Sequence, residues 1–222
     1  MSGAWTGGSG SQMEEQELTR RPEPVRTERV DMLAVHVFAD RGAMGRAAGL
    51  DAAARLRALL AEQEQVSVVF ASAPSQNEFL ATLAGAPGID WGRVVAFHMD
   101  EYVGLPADAP QAFGQFLQDR LFRHVRPGKV HLIQGEAGDA DAECRRYAGL
   151  LRAHPPDVIC MGIGENGHIA FNDPGVADFD DPELVKVVEL DERSRQQQVH
   201  DGQFDALDAV PRYAITMTVP AL

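Results

Sequence analysis

The sequence predicts an α/β fold, a doubly wound and largely parallel sheet with helices on both faces. Two observations carry the prediction. Short apolar runs alternate with longer segments of helical periodicity, joined by short links, which is the signature of βαβ units. Some of those runs, VSVVF at 66–70 and VICM at 158–161, are nearly continuous in apolar residues, as strands covered on both faces are.

Taken in order, residues 1–28 are polar and rich in Gly, Pro and charge, so they read as a disordered leader outside the fold. The N-terminus lacks the apolar core of a signal peptide. Residues 32–38 (MLAVHVF) alternate well enough for a first strand at an edge. Asp40 stands where a helix cap belongs, and Leu50, Ala53, Arg57 and Leu60 follow at helical spacing to about residue 64. Residues 66–70 form a second strand. The loop Ala71-Ser72-Ala73-Pro74-Ser75 leads from it into a helix through Phe79, Leu80 and Leu83. Residues 93–97 (RVVAF) make a third strand, ending in His98-Met99-Asp100-Glu101-Tyr102. Phe113, Phe116, Leu117 and Leu121 mark a helix, and 129–133 (KVHLI) a short strand. Asp139 caps a helix whose inner face is Cys144, Tyr147, Ala148 and Leu151. A strand at 157–163 runs into a glycine-rich turn, and 184–190 and 213–219 are later strands flanking a short helix near 191–199.

Right-handed crossovers place the carboxyl ends of parallel strands along one edge. That brings 72–75, 98–102 and 162–174 into one neighbourhood, where ligands bind in open α/β sheets. A net charge of −13 argues against nucleic acid and against an anionic membrane, since both call for a basic face. No apolar stretch is long enough to span a bilayer. The two cysteines, Cys144 and Cys160, form no framework or metal spacing and suit a reducing cytoplasm.

The segment 162–167 (GIGENG) has the form G-x-G-x-x-G after a strand, but a dinucleotide site needs a helix directly afterwards. Here Pro174 closes too short a run. A metal reading would join His98, Asp100, His168 and Asp173, with no H-x-x-x-H or C-x-x-C spacing behind it. The acid–base reading asks for less. Asp100 at a strand end can take a proton from a substrate carbon, and His168 supplies an imidazole able to move a proton to or from a sugar oxygen. Asp173 and Asn166 can orient the imidazole. Each residue alone has a plain structural reading: a solvated histidine, a turn or cap at Asp100, and glycines serving positive φ. On three converging loops the chemical reading is favoured.

Residues 97–106 (FHMDEYVGLP) and 161–174 (MGIGENGHIAFNDP) resemble the two signature stretches of the glucosamine-6-phosphate deaminase/isomerase family. The similarity extends from about residue 66 to the end, including 130–132, 141–144 and 210–216. It implies a Rossmann-like fold and a single domain over 29–222. It also implies conversion of a sugar phosphate, glucosamine 6-phosphate, to fructose 6-phosphate and ammonia, with no metal and no redox cofactor. By position, Asp100 matches the base that moves a proton between C2 and C1, and His168 the residue that opens the sugar ring. Asn166 and Asp173 flank that histidine. Ser72, Ser75, Gln76, Gly167 and Arg193 fall at substrate or phosphate positions. A homo-oligomer is compatible with the resemblance.

Four departures from the family pattern stand out. Asn166 replaces a common Asp, and Asp173 a common Glu. An amide gives no charge to an imidazolium, and the equivalent change costs about 10⁴ in rate in a serine-protease triad; Asp173 or Glu165 would have to recover that role. The loop Ser72-Ala73-Pro74-Ser75-Gln76 is poorer in Gly and Thr than the family's phosphate loop. The chain stops at Leu222, short of further elements and a phosphate-binding lysine in relatives, so it is expected to be C-terminally incomplete. Two alternatives stay open: lactone hydrolysis of the 6-phosphogluconolactonase type, and a non-catalytic sugar-phosphate sensor.

Overall fold

A computed structural model describes residues 20–222. Residues 1–19, most of the expected leader, lie outside the described residues. The remainder of that stretch enters the structure: Arg21 pairs with Asp51 at 2.7 Å, and β1 (Arg26–Val30) begins before residue 28. It forms an antiparallel hairpin with β2 (Leu33–Val37), turning at Asp31 with φ 52°. The strand expected at 32–38 therefore pairs only with β1, apart from the main sheet. Neither strand buries a face, although Leu33, Val35 and Val37 put an apolar side on β2.

The central sheet contains β3 (Val66–Phe70), β4 (Val94–His98), β6 (Lys129–His131) and β7 (Val158–Cys160) in the order β6-β4-β3-β7. Every neighbouring pair is parallel. The register sets up the site, because Phe70 pairs with His98 on one side and with Cys160 on the other. Three strands thus end level, and the loops that leave them start from one line.

Side chains alternate between the two faces of this sheet, as the period of two requires. Val66, Val68, Phe70, Val94 and Ala96 meet Leu56, Leu60, Leu80 and Leu121 on one side. Val69, Val95 and Phe97 meet Tyr147, Ala148 and Leu151 on the other. Each large apolar side chain buried this way contributes roughly 1.5–3 kcal/mol.

The helices behind these contacts are α1 (Arg41–Glu62), α2 (Asn77–Gly85), α3 (Phe113–Leu117) and α4 (Ala140–Ala153). Asp40 caps α1 by accepting from the Ala43 N–H at 2.7 Å, and Asp139 caps α4 through the Ala142 N–H at 2.8 Å. Helix α3 continues through a wide π-type turn, Gln118–Phe122, into Arg123–Val125. Helices α1 and α2 touch where α1 carries glycine: a Cβ on Gly49 would lie 2.7 Å from that of Thr82.

The later strands, β8 (Val185–Glu189) and β9 (Tyr213–Met217), form a separate antiparallel sheet with β5 (Asp100–Tyr102), in the order β5-β9-β8. Residues 100–102, expected as loop, are its first strand. Three residues are too few to show a period, and their pairing with Ala214–Thr216 is decided by distant chain. Tyr102, Phe113, Phe171 and Val188 make a third apolar cluster beneath this sheet. Helix α5 (Glu192–His200) lies between β8 and β9 in sequence. Among the described residues no helix is long and apolar enough to cross a membrane.

Candidate active site

The turn after β7 is shaped around an imidazole. The Gly164 N–H donates to the His168 carbonyl at 2.9 Å, and the Gly167 N–H to the Gly164 carbonyl at 3.0 Å. Gly167 has φ +89°, the left-handed region that glycine tolerates. Gly164 is required for a different reason: a Cβ there would stand 2.1 Å from His168 Cε1. The ring lies across the glycine backbone. Beyond it, Asn172 Nδ2 donates to the Ile169 and Met217 carbonyls at 2.9 and 2.8 Å, tying the loop to β9.

His168 turns its Nδ1 inward. That nitrogen is 2.6 Å from Asn166 Oδ1, 3.0 Å from Ser194 Oγ and 3.3 Å from Asp173 Oδ1. Asn166 Nδ2 donates in turn to Asp173 Oδ1 at 2.9 Å. Asp173 is fully buried, its other oxygen accepting the Asp191 N–H at 3.0 Å. Burial alone would raise its pKa, but hydrogen bonds from His168, Asn166, Ser194 and the Asp191 backbone outweigh that and hold the carboxyl well below the usual range. Asp173 is therefore an anion at the end of a short amide bridge to the imidazole. Glu165, the other residue expected to help, points elsewhere: its carboxylate lies 3.3 Å from His200.

Asp100 faces the same cleft from β5. It is 7% exposed, and burial first, then the neighbouring Glu101, pushes its pKa well above the usual carboxylate range. Glu101 is pushed up to about 7 by burial, though its carboxylate accepts from the Tyr102, Phe113 and Gly114 N–H groups. His98 does not join them. Its buried Nε2 accepts the Ile133 N–H at 2.8 Å, and burial lowers its pKa to about 3. The four-residue metal set considered from sequence does not assemble around it.

The cleft is open to solvent, and the space between its walls is about 530 Å³, solvent included. Ser72, Ser75 and Gln76 line it beside Asp100 and His168, with Phe113 and Phe171 as apolar wall. Ser72 Oγ is buried with no hydrogen-bond partner among the described residues. Gln76 Nε2 donates to Ser75 Oγ at 3.2 Å.

Arg193, expected at the phosphate, is exposed on the outer side of α5 and is not a cleft residue. The helix instead presents Gln197 and Gln198 to the cleft, and Ser194 to the histidine cluster. Sequence reasoning missed these three. Their spacing of i, i+3 and i+4 places them on one helical face, whereas the family resemblance points to Arg193. Among the described residues lining the cleft there is neither Lys nor Arg.

Comparison with known proteins follows the same outline. Residues 39–222 match the family model described as "Glucosamine-6-phosphate isomerases/6-phosphogluconolactonase". A glucosamine-6-phosphate deaminase of Bacillus thuringiensis (strain Al Hakam) is 40% identical over 134 residues, which are 60% of this chain and 49% of that protein. The chain thus spans about half the length of the curated relatives it matches. A solved monomeric glucosamine-6-phosphate deaminase superposes with a TM-score of 0.73 at 28% identity, covering 82% of this chain and 74% of that one. A 6-phosphogluconolactonase from Thermotoga maritima shares the fold, with a TM-score of 0.61, 21% identity and coverage of 78% and 72%. The family match takes in all three loops of the cleft as well as both sheets behind them, and the chain belongs to the glucosamine-6-phosphate isomerase/6-phosphogluconolactonase family.

Proposed function

We propose that this cleft isomerises and deaminates glucosamine 6-phosphate, giving fructose 6-phosphate and ammonia. One observation carries the reading: a buried carboxylate, Asp100, and an imidazole held by its Nδ1, His168, line one cleft. His168 Nε2 takes the proton of the O1 hydroxyl and returns it to the ring oxygen, opening the sugar. Asp100 removes the C2 proton and delivers it to C1, while the amine gives up a proton to O1, leaving an imine at C2. Water adds there and ammonia leaves. A carboxylate kept short of water is a stronger base than one in solution, which suits abstraction from carbon.

Lactone hydrolysis would use the histidine to activate water and gives no role to a carboxylate buried opposite it. Asp100 therefore favours the isomerase reading. The test is ammonia release from glucosamine 6-phosphate by the full-length protein, with 6-phosphogluconolactone hydrolysis in parallel. Ammonia and fructose 6-phosphate in equal amounts are expected. Lactone hydrolysis alone, or binding without turnover, overturns the proposal.

Two predictions follow from the walls of the cleft. Gly164→Ala pushes the imidazole off its seat and lowers kcat about 10²-fold, the cost of displacing a catalytic group by about 1 Å. Its far-UV circular dichroism stays that of the parent, and an unchanged kcat would show that the ring position is not critical. Ser72→Ala and Gln198→Ala each raise KM about 10-fold with kcat little altered, because a neutral donor to a charged phosphate is lost equally in ground and transition states. Steady-state kinetics separate the two constants, and a fall in kcat alone would remove both residues from phosphate binding.

A further inference from the structure

Ser194 touches all three members of the cluster behind His168. Its Oγ lies 3.0 Å from His168 Nδ1 and 3.3 Å from Asn166 Nδ2, and it donates to Asp173 Oδ1. The residue is 1% exposed and does not line the cleft, so it reaches substrate only through its neighbours. Serines inside helices ordinarily bond back to the preceding turn or to water; this one bonds to a loop 21 to 28 residues earlier in the chain.

Proton accounting gives the arrangement a meaning. A hydroxyl has one proton and two lone pairs. The proton goes to Asp173, which only accepts. The lone pairs are then left for Asn166 Nδ2, a donor, and for His168 Nδ1. Every group around Nδ1 is an acceptor, namely Asn166 Oδ1, Ser194 Oγ and Asp173 Oδ1. The ring must carry its hydrogen there.

We propose that Ser194 is a positioning residue that locks neutral His168 as the Nδ1–H tautomer and keeps the Nε2 lone pair directed at the cleft. It anchors the Asp173 anion against the imidazole, a link that the uncharged Asn166 cannot complete alone. The tautomer stands on the geometry; its consequence for rate rests on the ring-opening role proposed above.

The test joins spectroscopy to kinetics on the full-length protein. In ¹⁵N-histidine NMR the parent shows His168 with hydrogen on Nδ1. A parent with hydrogen on Nε2 overturns the proposal without any variant. Ser194→Ala shifts part of the population to Nε2–H and lowers kcat about 10²-fold at little change in KM. That is less than the 10⁴ that a wrong tautomer costs a serine-protease triad, since Asn166 still accepts.

Ser194→Thr keeps the hydroxyl and restores the tautomer and the rate. A folded Ser194→Ala protein with the parent tautomer overturns the proposal. Should no sugar phosphate be turned over, the proposed function falls, while the NMR result still decides the role of Ser194.

Discussion

Replacing Asp100 by Asn lowers ammonia release by about 10³-fold, within the range that one acid–base group supplies, and makes the protein harder to unfold at alkaline pH. The two effects share one cause. Burial, helped by Glu101, holds the folded-state pKa of Asp100 above its unfolded value. Such a group favours folding below its unfolded pKa, and that contribution is lost as pH rises through the folded pKa. At alkaline pH the ionised carboxylate is a burden on the fold, in keeping with the base role proposed for it. Asparagine has the same shape and no charge to bury. Kinetics and urea midpoints at pH 5 and pH 8 test both parts. A surviving rate removes Asp100 from catalysis. A midpoint that rises no more at pH 8 than at pH 5 removes the burial argument.

Asn166→Asp is expected to lose activity and stability, not gain them. Viewed from sequence alone, Asn166 is the defect in the site, an amide where relatives commonly carry a carboxylate. The structure gives the amide a task, since its Nδ2 donates to Asp173 Oδ1 at 2.9 Å. A carboxylate there faces the Asp173 anion in a buried cluster, and two carboxylates sharing one site cannot both ionise freely. The cost at pH 8 is on the order of 3 kcal/mol, as for other uncompensated buried charges.

The pH dependence has a definite sign. In the parent, Asp173 has a depressed folded-state pKa, so its contribution is present above the unfolded value and is lost as pH falls below about 4. In the variant the shared pair has a raised pKa, so the destabilisation grows as pH rises through it and shrinks in acid. The double exchange Asn166→Asp with Asp173→Asn returns one charge and one amide, and restores most of the stability. Urea denaturation of the three proteins at pH 5 and pH 8 checks this. A single variant as stable and more active than the parent at pH 8 would show that Asn166 is the weak point after all.

Much of the fold was legible in the chain because its signals are local. Asp40 and Asp139 cap the helices they precede, and the runs expected at 66–70 and 93–97 became the fully buried strands β3 and, one residue later, β4. Level strand ends follow from parallel register, so the convergence of Ser72, Asp100 and His168 on one cleft was foreseeable. The resemblance put Arg193 at the phosphate, but the rotation of α5, set by packing, leaves it exposed and outside the cleft. His98 was considered as a ligand because nothing in sequence distinguishes an imidazole facing a cleft from one bonded to a backbone N–H inside the core.

The sequence by itself determined the alternation of strand and helix, the three loops, and the pair Asp100 and His168, since periodicity, capping and glycine turns act over a few residues. Tertiary structure alone decided that 100–102 pairs with β9, that α5 turns Ser194 inward and Arg193 outward, and that the Asn166 amide joins His168 to Asp173. Hydrogen-bond direction and helix rotation are settled by partners far away along the chain. Whether Asn166 weakens the histidine or completes its support is therefore a property of the folded cluster.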